Sequence, residues 1–229
     1  ESCMNESPPS ERTVAELFCL KSKTALITGA TGYLGSAMAR ALAEAGATVI
    51  VSSRDADRAR TAPADLPAPS GARHLGVQID HKQADSIANG FAEAVRQAGA
   101  IDILINNGQS GAPNDLTEVT AEQFQGHLEN ATGYFLLSRA FRDHVVSRSA
   151  AGSIVMLGSM YGVVGSYPDA YADVCSASPV AYHALKGGIV HMTRHLAVYW
   201  ACDNIRVNCL SPGPFPNSSA PAEMVEPLK

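Results

Sequence analysis

The stretch TALITGATGYLGSAMARALAEAGATVIVSS, residues 24–53, decides the fold. It begins with a short apolar strand, passes through a turn that carries Gly29, Gly32 and Gly35, continues as an Ala-rich helix to Gly46, and returns as a second apolar strand. Continuous apolar runs with a helix between them predict parallel strands that are buried on both faces. The stretch therefore predicts one β-α-β unit of a layered α/β domain.

The same alternation continues along the chain. Strand patterns recur at GARHLGVQID, IDILINNG, GSIVMLGS and IRVNCLSPG, and helix patterns recur at SIANGFAEAVRQAG, TAEQFQGHLENATGYFLLSRAFRDHVV and VAYHALKGGIVHMTRHLAVYWA. The pattern predicts an α/β, doubly wound Rossmann fold of three αβα layers with a parallel sheet of six or seven strands. The proline-rich stretch TAPADLPAPSG, residues 61–71, is expected to be a surface loop.

Composition and charge exclude several classes of protein. Of the 229 residues, 46% are hydrophobic, and the formal net charge is −5 with no basic stripe, so we expect no nucleic-acid partner. No apolar run approaches the roughly 18 residues that span a bilayer, and the first residues lack a hydrophobic signal core, so we expect no membrane contact and a cytoplasmic location. The five cysteines are dispersed, and the pair His191 and His195 lacks an accompanying acid, so no metal site is predicted.

The glycine turn between the first strand and the first long helix favours dinucleotide binding. Without side chains, its backbone N–H groups can approach a pyrophosphate at the positive end of the helix. The second strand ends at Ser53, followed by Arg54, where an NAD-preferring site would carry an acidic residue. A hydroxyl and a guanidinium suit a 2′-phosphate, so NADP(H) is favoured and NAD(H) is possible.

Tyr182 and Lys186, in the segment YHALK, lie four residues apart in a helical pattern. This spacing places both side chains on one helix face, where they can converge on one ligand. A phenol has an ordinary pKa of about 10, and a nearby ammonium favours the phenolate form. The pair therefore suits proton transfer, although such a pair also occurs by chance in helices.

Together these features resemble the short-chain dehydrogenase/reductase family in its single-domain branch, and are similar to its sugar- and nonulosonate-pathway and ketoacyl-type oxidoreductases. TGATGYLG, NNG after the fourth strand, Asn130 in the next helix, Ser159 after the fifth strand, YHALK and IRVNCLSPG follow the order of the family over residues 23–215. The resemblance implies an NAD(P)(H)-dependent oxidoreductase that transfers a hydride between nicotinamide and a carbonyl or secondary alcohol. We expect residues 1–20 to be an N-terminal extension and residues 21–229 to form one NAD(P)-binding domain.

The resemblance also assigns roles to individual residues. Tyr182 would be the general acid/base, and Lys186 would hold the nicotinamide ribose and favour the phenolate. Ser159 would hydrogen-bond the substrate oxygen, and Asn130 would hold a water that links Lys186 to a proton relay. The implied cofactor-binding residues are Gly29, Thr31, Gly32, Tyr33, Leu34, Gly35, Ser53, Arg54, Asp80, His81, Asn107, Gly108, Tyr182, Lys186, Pro212, Gly213 and Phe215.

Several features depart from the pattern of the single-domain branch. The glycine spacing in TGATGYLG is similar to that of the longer, sugar-nucleotide-modifying branch, and Gln109 stands where a glycine is usual. The interval from Ser159 to Tyr182 is longer than usual, so we expect residues 166–179 to form an inserted wall or lid beside a polar substrate. The family normally continues beyond residue 229 through a helix and a strand, which we expect to be absent.

Two other functions remain open, and both make different use of these motifs. A non-catalytic dinucleotide sensor or scaffold would keep the glycine turn without needing Asn130, Ser159, Tyr182 and Lys186 together. A sugar-nucleotide epimerase or dehydratase would fit the glycine spacing but needs a larger carboxyl-terminal domain. The helices predicted near residues 122–146 and 180–200 are expected to pair between subunits, giving a homodimer or homotetramer.

Overall fold

Six parallel strands form one sheet at the centre of the computed structural model, which describes residues 11–69, 71–111, 116–167 and 178–216. The strands are β1 Thr24–Thr28, β2 Thr48–Ser53, β3 Leu75–Gln78, β4 Ile103–Asn106, β5 Gly152–Leu157 and β6 Ile205–Leu210. Their order across the sheet is β3-β2-β1-β4-β5-β6, with every neighbouring pair parallel. The predicted fold class is confirmed.

In the described part of the chain, six α-helices connect or precede these strands. They are α1 Val14–Leu17, α2 Tyr33–Glu44, α3 Ala56–Thr61, α4 Ala84–Ala98, α5 Ala121–Ser147 and α6 Val180–Tyr199. At the start of α5, Thr120 accepts a hydrogen bond from the backbone of Gln123, and the Gln123 side chain accepts one from the backbone of Thr120. This reciprocal cap satisfies two backbone donors and fixes where the long helix begins.

The central strands are apolar on both faces because helices pack on each side of the sheet. Leu26, Ile50 and Leu104 lie in a core shared with α4, α5 and α6, whereas the alternate residues Ile27 and Val51 pack toward α2. In β6, at one edge of the sheet, buried and exposed residues alternate. Ile205 and Val207 are buried, while Arg206 and Asn208 are exposed on the opposite face. The full three-layer packing is therefore built around the four inner strands, β2, β1, β4 and β5.

The proline-rich stretch predicted as a loop is more ordered than expected. Helix α3 extends to Thr61 and is followed at once by a 3-10 helix, Ala62–Asp65, with Pro63 in its first turn. Proline suits a first-turn position because the N–H that it lacks would have no helical partner there. A Cβ on Gly76 of β3 would lie 3.3 Å from Pro63 Cγ, so the turn packs directly against the sheet.

The strand order places a crevice at the carboxyl ends of β1 and β4. From β1 the chain moves outward to β2 and β3, then returns to β4 on the other side of β1. The connections on either side of this switch point leave in opposite directions, which opens a cleft where ligands of such sheets bind. Residues 168–177, most of the predicted wall or lid, lie outside the described residues.

Helices long and apolar enough to cross a membrane do not occur in the four described ranges. The same ranges hold no group of three or more His, Cys, Asp or Glu side chains placed to share a metal ion.

Candidate active site

The crevice has two compartments that share a common floor. The first, of about 470 Å³, follows the glycine turn and the end of β2. The second, of about 280 Å³, lies between the ends of β5 and β6 and the start of α6. Leu34, Asn107 and Gln109 line both. An extended ligand could therefore occupy the two compartments at once.

The glycine turn lets the residues that follow β1 and β4 lie close together, next to the N-terminus of α2. Gly29 has φ +61°, and a Cβ there would lie only 2.8 Å from Gly108 Cα. Such a conformation and such an approach both favour glycine. Gly32 is the N-cap of α2 and provides no side-chain cap, and the first turn carries no acidic residue. The first backbone N–H groups of α2 are thus available to an anion at the positive end of the helix.

Thr28 and Asn107 fasten the two strand ends that form the floor. The Thr28 hydroxyl accepts hydrogen bonds from the backbone N–H groups of Asn107 at 2.9 Å and Gly108 at 2.8 Å. In return, the Asn107 side-chain amide donates to the carbonyls of Thr28 at 2.9 Å and Gly29 at 3.1 Å. These bonds satisfy backbone groups left over where β1 and β4 end, so contacts within the protein itself hold the floor in place.

Two arginines lie at the far end of the first compartment. Ser53, Arg54, Asp55 and Arg58 line it together. Asp55 caps α3 by accepting a hydrogen bond from the Arg58 backbone at 3.0 Å, and its carboxylate lies 3.9 Å from Arg58 Nε. The negative charge of Asp55 is thus offset locally, and the compartment keeps a net positive end.

Asp80 lies beside the crevice rather than in its lining. Its carboxylate accepts a hydrogen bond from the Lys82 backbone at 3.0 Å, and its own N–H donates to the Ser86 hydroxyl at 2.9 Å. The neighbours Ile79 and His81 line the first compartment instead. The role predicted for Asp80 toward adenine stays a prediction.

Ser159, Tyr182 and Lys186 line the second compartment together. Ser159 lies two residues beyond the end of β5 and is buried. Its hydroxyl accepts a hydrogen bond from the Tyr161 backbone N–H at 3.2 Å. Tyr182 is partly exposed in the first turn of α6, and Lys186 Nζ lies 5.5 Å from the centre of its ring. The side-chain convergence predicted from the YHALK spacing is thus present.

Lys186 is buried, with only 4% of its surface exposed. Its ammonium donates to the Leu157 carbonyl at 2.8 Å. Burial disfavours the charged form and lowers the pKa of Lys186 from 10.5 to about 8. The amine is therefore mostly charged at neutral pH but holds its proton weakly.

Asn130 faces the network around the floor and not the second compartment. Its side-chain oxygen accepts from the Ser110 backbone at 2.9 Å and is 2.7 Å from His81 Nε2. Its amide donates to Ser110 Oγ at 3.0 Å and to the His127 carbonyl at 2.6 Å. All of the hydrogen-bonding groups of the side chain are used: the contacts with His81 and Ser110 join α5 to the turns after β3 and β4, and the bond to His127 stays within α5.

Most of the residues predicted as a site therefore meet in one crevice. The first compartment brings together Gly29, Thr31, Gly32, Tyr33, Leu34, Gly35, Ser53, Arg54, His81, Asn107 and Gly108. The second brings together Ser159, Tyr182, Lys186, Pro212, Gly213 and Phe215. Asp80 and Asn130 are adjacent to the lining and not part of it.

The sequence interpretation missed Arg58 and gave no role to Gln109. Arg58 lies in the first turn of α3, which begins just after Arg54. The signal for Arg58 was therefore a predicted helix start between the two arginines, which would have placed Arg58 close to the end of β2. Gln109 lines both compartments, and among the described residues its side chain makes no hydrogen bond. The signal for Gln109 was an amide side chain at a position where the family usually has glycine.

Comparison with known proteins matches the sequence of this chain to one family. The model of the family "short chain dehydrogenase" matches residues 23–225. A 2-dehydro-3-deoxy-D-gluconate 5-dehydrogenase from Formosa agariphila is 32% identical over 205 residues, which cover 89% of this chain and 73% of that protein.

Solved structures agree with the sequence relatives. A gluconate 5-dehydrogenase from Burkholderia cenocepacia, in complex with NADP and tartrate, superposes with a TM-score of 0.80 at 25% identity, covering 94% of this chain and 82% of that one. A short chain dehydrogenase from Leptospira borgpetersenii with bound NAD⁺ gives 0.78 at 27% identity, covering 97% and 82%. The matches support an NAD(P)-dependent oxidoreductase. With a family match over most of its length, the chain belongs to the short-chain dehydrogenase family.

Proposed function

We propose that the protein catalyses reversible hydride transfer between NADP(H) and a carbonyl or secondary alcohol of a small polar compound, with Tyr182 as general acid/base. The observation that carries the proposal is the meeting of Ser159, Tyr182 and Lys186 in a compartment that shares its floor with the glycine-turn compartment. A non-catalytic binding protein would have no need for this polar set at the end of the crevice.

The crevice suits a nicotinamide dinucleotide. Its glycine turn leaves the α2 N-terminus open to a diphosphate, and Pro212, Gly213 and Phe215 line the second compartment. When bound, the nicotinamide supplies or accepts the hydride at the substrate carbon. In our assignment, Lys186 holds the adjoining ribose hydroxyls.

The proton part of the reaction falls to Tyr182. In reduction its hydroxyl donates a proton to the substrate oxygen, and in oxidation its phenolate accepts that proton. Ser159 donates a hydrogen bond to the same oxygen and fixes its position. The Lys186 ammonium lies 5.5 Å from the centre of the Tyr182 ring, so its charge acts at short range on this proton transfer.

Asn130 is proposed to take part through its backbone. Since its side chain is fully hydrogen-bonded, a water that links Lys186 to a proton relay would have to be held by the second lone pair of its main-chain carbonyl. The side chain then serves to keep that part of α5 in place.

NADP(H) is the favoured cofactor because of the charge at the end of β2. Ser53, Arg54 and Arg58 would surround a 2′-phosphate on the adenosine ribose. NAD(H) remains a possible cofactor, since the two structural relatives described above hold NADP in one case and NAD⁺ in the other.

The substrate class we propose is a polyhydroxylated compound such as a sugar acid or polyol. Gln109, Ser159 and Tyr182 give the second compartment several hydrogen-bonding groups, and its volume suits a small molecule. The names of the gluconate dehydrogenases among the relatives support the same class. We further propose a cytoplasmic protein that assembles as a homodimer or homotetramer through α5 and α6, whose outer faces carry exposed Val146 and Val198.

The test is the oxidation of galactitol, D-mannitol, D-glucose and D-gluconate with NADP⁺. The reaction is measured as the increase in absorbance of the reduced cofactor. Tyr182→Phe should lower kcat by about 10²- to 10⁴-fold, the usual contribution of general acid–base catalysis. Tyr199→Phe, on the exposed side of the same helix, is the matched control and should leave kcat unchanged. Normal turnover by Tyr182→Phe would contradict the assignment.

A further inference from the structure

An aromatic stack joins the segment that carries Ser159 to the helix that carries Tyr182. The rings of Tyr161 and His183 lie 4.6 Å apart, centre to centre, with an interplanar angle of 28°. Tyr161 follows Ser159 by two residues and His183 follows Tyr182 by one, so the stack bridges the two proposed catalytic residues at very short chain distance.

The orientation of Ser159 depends on the turn that contains Tyr161. Residues Met160–Gly162 form a 3-10 turn whose N-cap is Ser159, and the Tyr161 backbone N–H donates to the Ser159 hydroxyl at 3.2 Å. A shift of this turn would therefore move the Ser159 hydroxyl with it.

The turn is held against α6 at two points. A Cβ on Gly162 would lie 2.6 Å from the Lys186 carbonyl oxygen, so this glycine lets the turn rest directly on the helix backbone. The stack of Tyr161 on His183 is the second point, one helical turn earlier. The stack therefore adds a side-chain restraint on the turn to the backbone contact at Gly162.

His183 is itself held in the orientation that the stack requires. Its Nε2 lies 3.0 Å from the Ser178 hydroxyl, just before the start of α6. Burial lowers the pKa of His183 and so favours the neutral ring. A neutral imidazole stacks on a phenol ring by offset aromatic packing without bringing a second charge close to Lys186.

We propose that Tyr161 and His183 are positioning residues that fix the distance between the Ser159 hydroxyl and the Tyr182 phenol. The inference rests on the proposed function, because it assumes that both groups act on one substrate oxygen. A misplacement of about 1 Å in such a pair can lower the rate of the chemical step by up to roughly 100-fold. The expected signature is a loss in kcat with little change in cofactor affinity.

The variants separate the ring contact from the hydrogen bond. His183→Ala removes both, His183→Phe keeps a stacking ring, and Ser178→Ala removes only the hydrogen bond to His183. We expect His183→Ala to lower kcat about tenfold or more, and we expect His183→Phe to recover most of that loss. Tyr161→Leu removes the same ring contact as His183→Ala, so it should also lower kcat, and the double variant should lose less than the sum of the two single losses.

A second His–Tyr pair on the same helix is the matched control. His195 and Tyr199 lie 4.4 Å apart, centre to centre, on the exposed side of α6. His195→Ala removes a comparable ring contact far from the compartment and should leave kcat unchanged. The measurements are kcat and KM on the best substrate of the polyol panel, the dissociation constant of NADPH from its fluorescence, and the amide exchange rate of Tyr161.

The outcomes distinguish the inference from the function on which it rests. A reduced kcat in His183→Ala with faster exchange of the Tyr161 amide and unchanged NADPH affinity supports positioning. Wild-type turnover with normal kcat in both His183→Ala and Tyr161→Leu overturns the positioning role and leaves the proposed function standing. Absence of turnover by the wild-type protein on any polar carbonyl or alcohol, with NADPH bound, overturns the proposed function itself.

Discussion

Lys186 combines a buried ammonium with a single backbone hydrogen bond, to the Leu157 carbonyl. A lysine in such a position is rarely useful for stability, because taking the charge out of water costs more than one hydrogen bond returns. Its position beside Tyr182 and Ser159 gives the residue a chemical explanation instead. The burial of Lys186 should be measurable without any substrate.

The stability of the protein should depend on pH through Lys186. Below about pH 8 both the folded and the unfolded chain bind the Lys186 proton, so its burial penalty is constant. Between pH 8 and 10.5 only the unfolded chain binds this proton, and the free energy of unfolding therefore gains a rising contribution. A pKa shift of this size corresponds to roughly 3 kcal/mol at most.

Urea unfolding of the wild-type protein and Lys186→Met, compared at several pH values, measures this contribution. The free energy of unfolding of the wild type, relative to the variant, should increase as the pH rises from 8 to 10. Other titrating groups cancel in the difference. A difference that stays constant over this interval would show that the amine titrates as it does in the unfolded chain.

At the scale of the element, the turn from β2 into α3 determines the cofactor preference we propose. The Asp55 cap starts α3 at Ala56, and this start places Arg58 in the lining together with Arg54. Arg54→Ala and Arg58→Ala should each raise the KM for NADP⁺ by about 10- to 100-fold, since a charge-assisted hydrogen bond contributes roughly 1.5–3 kcal/mol. The KM for NAD⁺ should change little.

Arg60→Ala serves as the control for this pair of variants. Arg60 lies on the same short helix, is exposed, and pairs with Asp57 rather than lining the crevice. If Arg60→Ala raised the KM for NADP⁺ as much as Arg54→Ala does, a general loss of positive charge would explain both results and the local contact would be refuted.

Helix α5 approaches the turn after β3 through a glycine, which makes its packing sensitive to one methyl group. A Cβ on Gly133 would collide with the His81 carbonyl. Gly133→Ala should lower the free energy of unfolding by about 1–3 kcal/mol, as overpacking usually does. A Cβ on Gly188 of α6 would have no atom within 4 Å. Gly188→Ala should therefore stabilise the protein by up to about 1 kcal/mol, because alanine has the higher helix propensity. Thermal or urea unfolding of the two variants would give opposite signs.

How much of the site the sequence predicted depends on how local each feature is. The glycine turn and the Tyr182–Lys186 pair were predicted because their geometry is set by a few consecutive residues in a β-α-β unit or a helix. The Arg58 contact was missed because it depends on the exact start of α3, which the Asp55 cap sets. The Tyr161–His183 stack was missed because it depends on how two segments pack in space.

For the whole molecule, the doubly wound parallel sheet was predicted from the alternation of apolar strands and helices, since right-handed crossovers leave few arrangements of such a chain. The pattern of burial at β6 was less predictable, because Arg206 and Asn208 are exposed whereas the strands inside the sheet are mostly apolar and buried. An edge strand of a parallel sheet can alternate when only one of its faces is covered.

The fastening of β1 to β4 has a consequence for how the protein folds. Thr28 and Asn107 are 79 residues apart, and the floor of the crevice exists only after β4 has inserted beside β1. Contacts of such sequence separation form slowly, whereas the long helices can form early. During refolding from urea, helical circular dichroism should therefore return before the ability to enhance NADPH fluorescence. Simultaneous recovery of the two signals would mean that the crevice assembles together with the first helices.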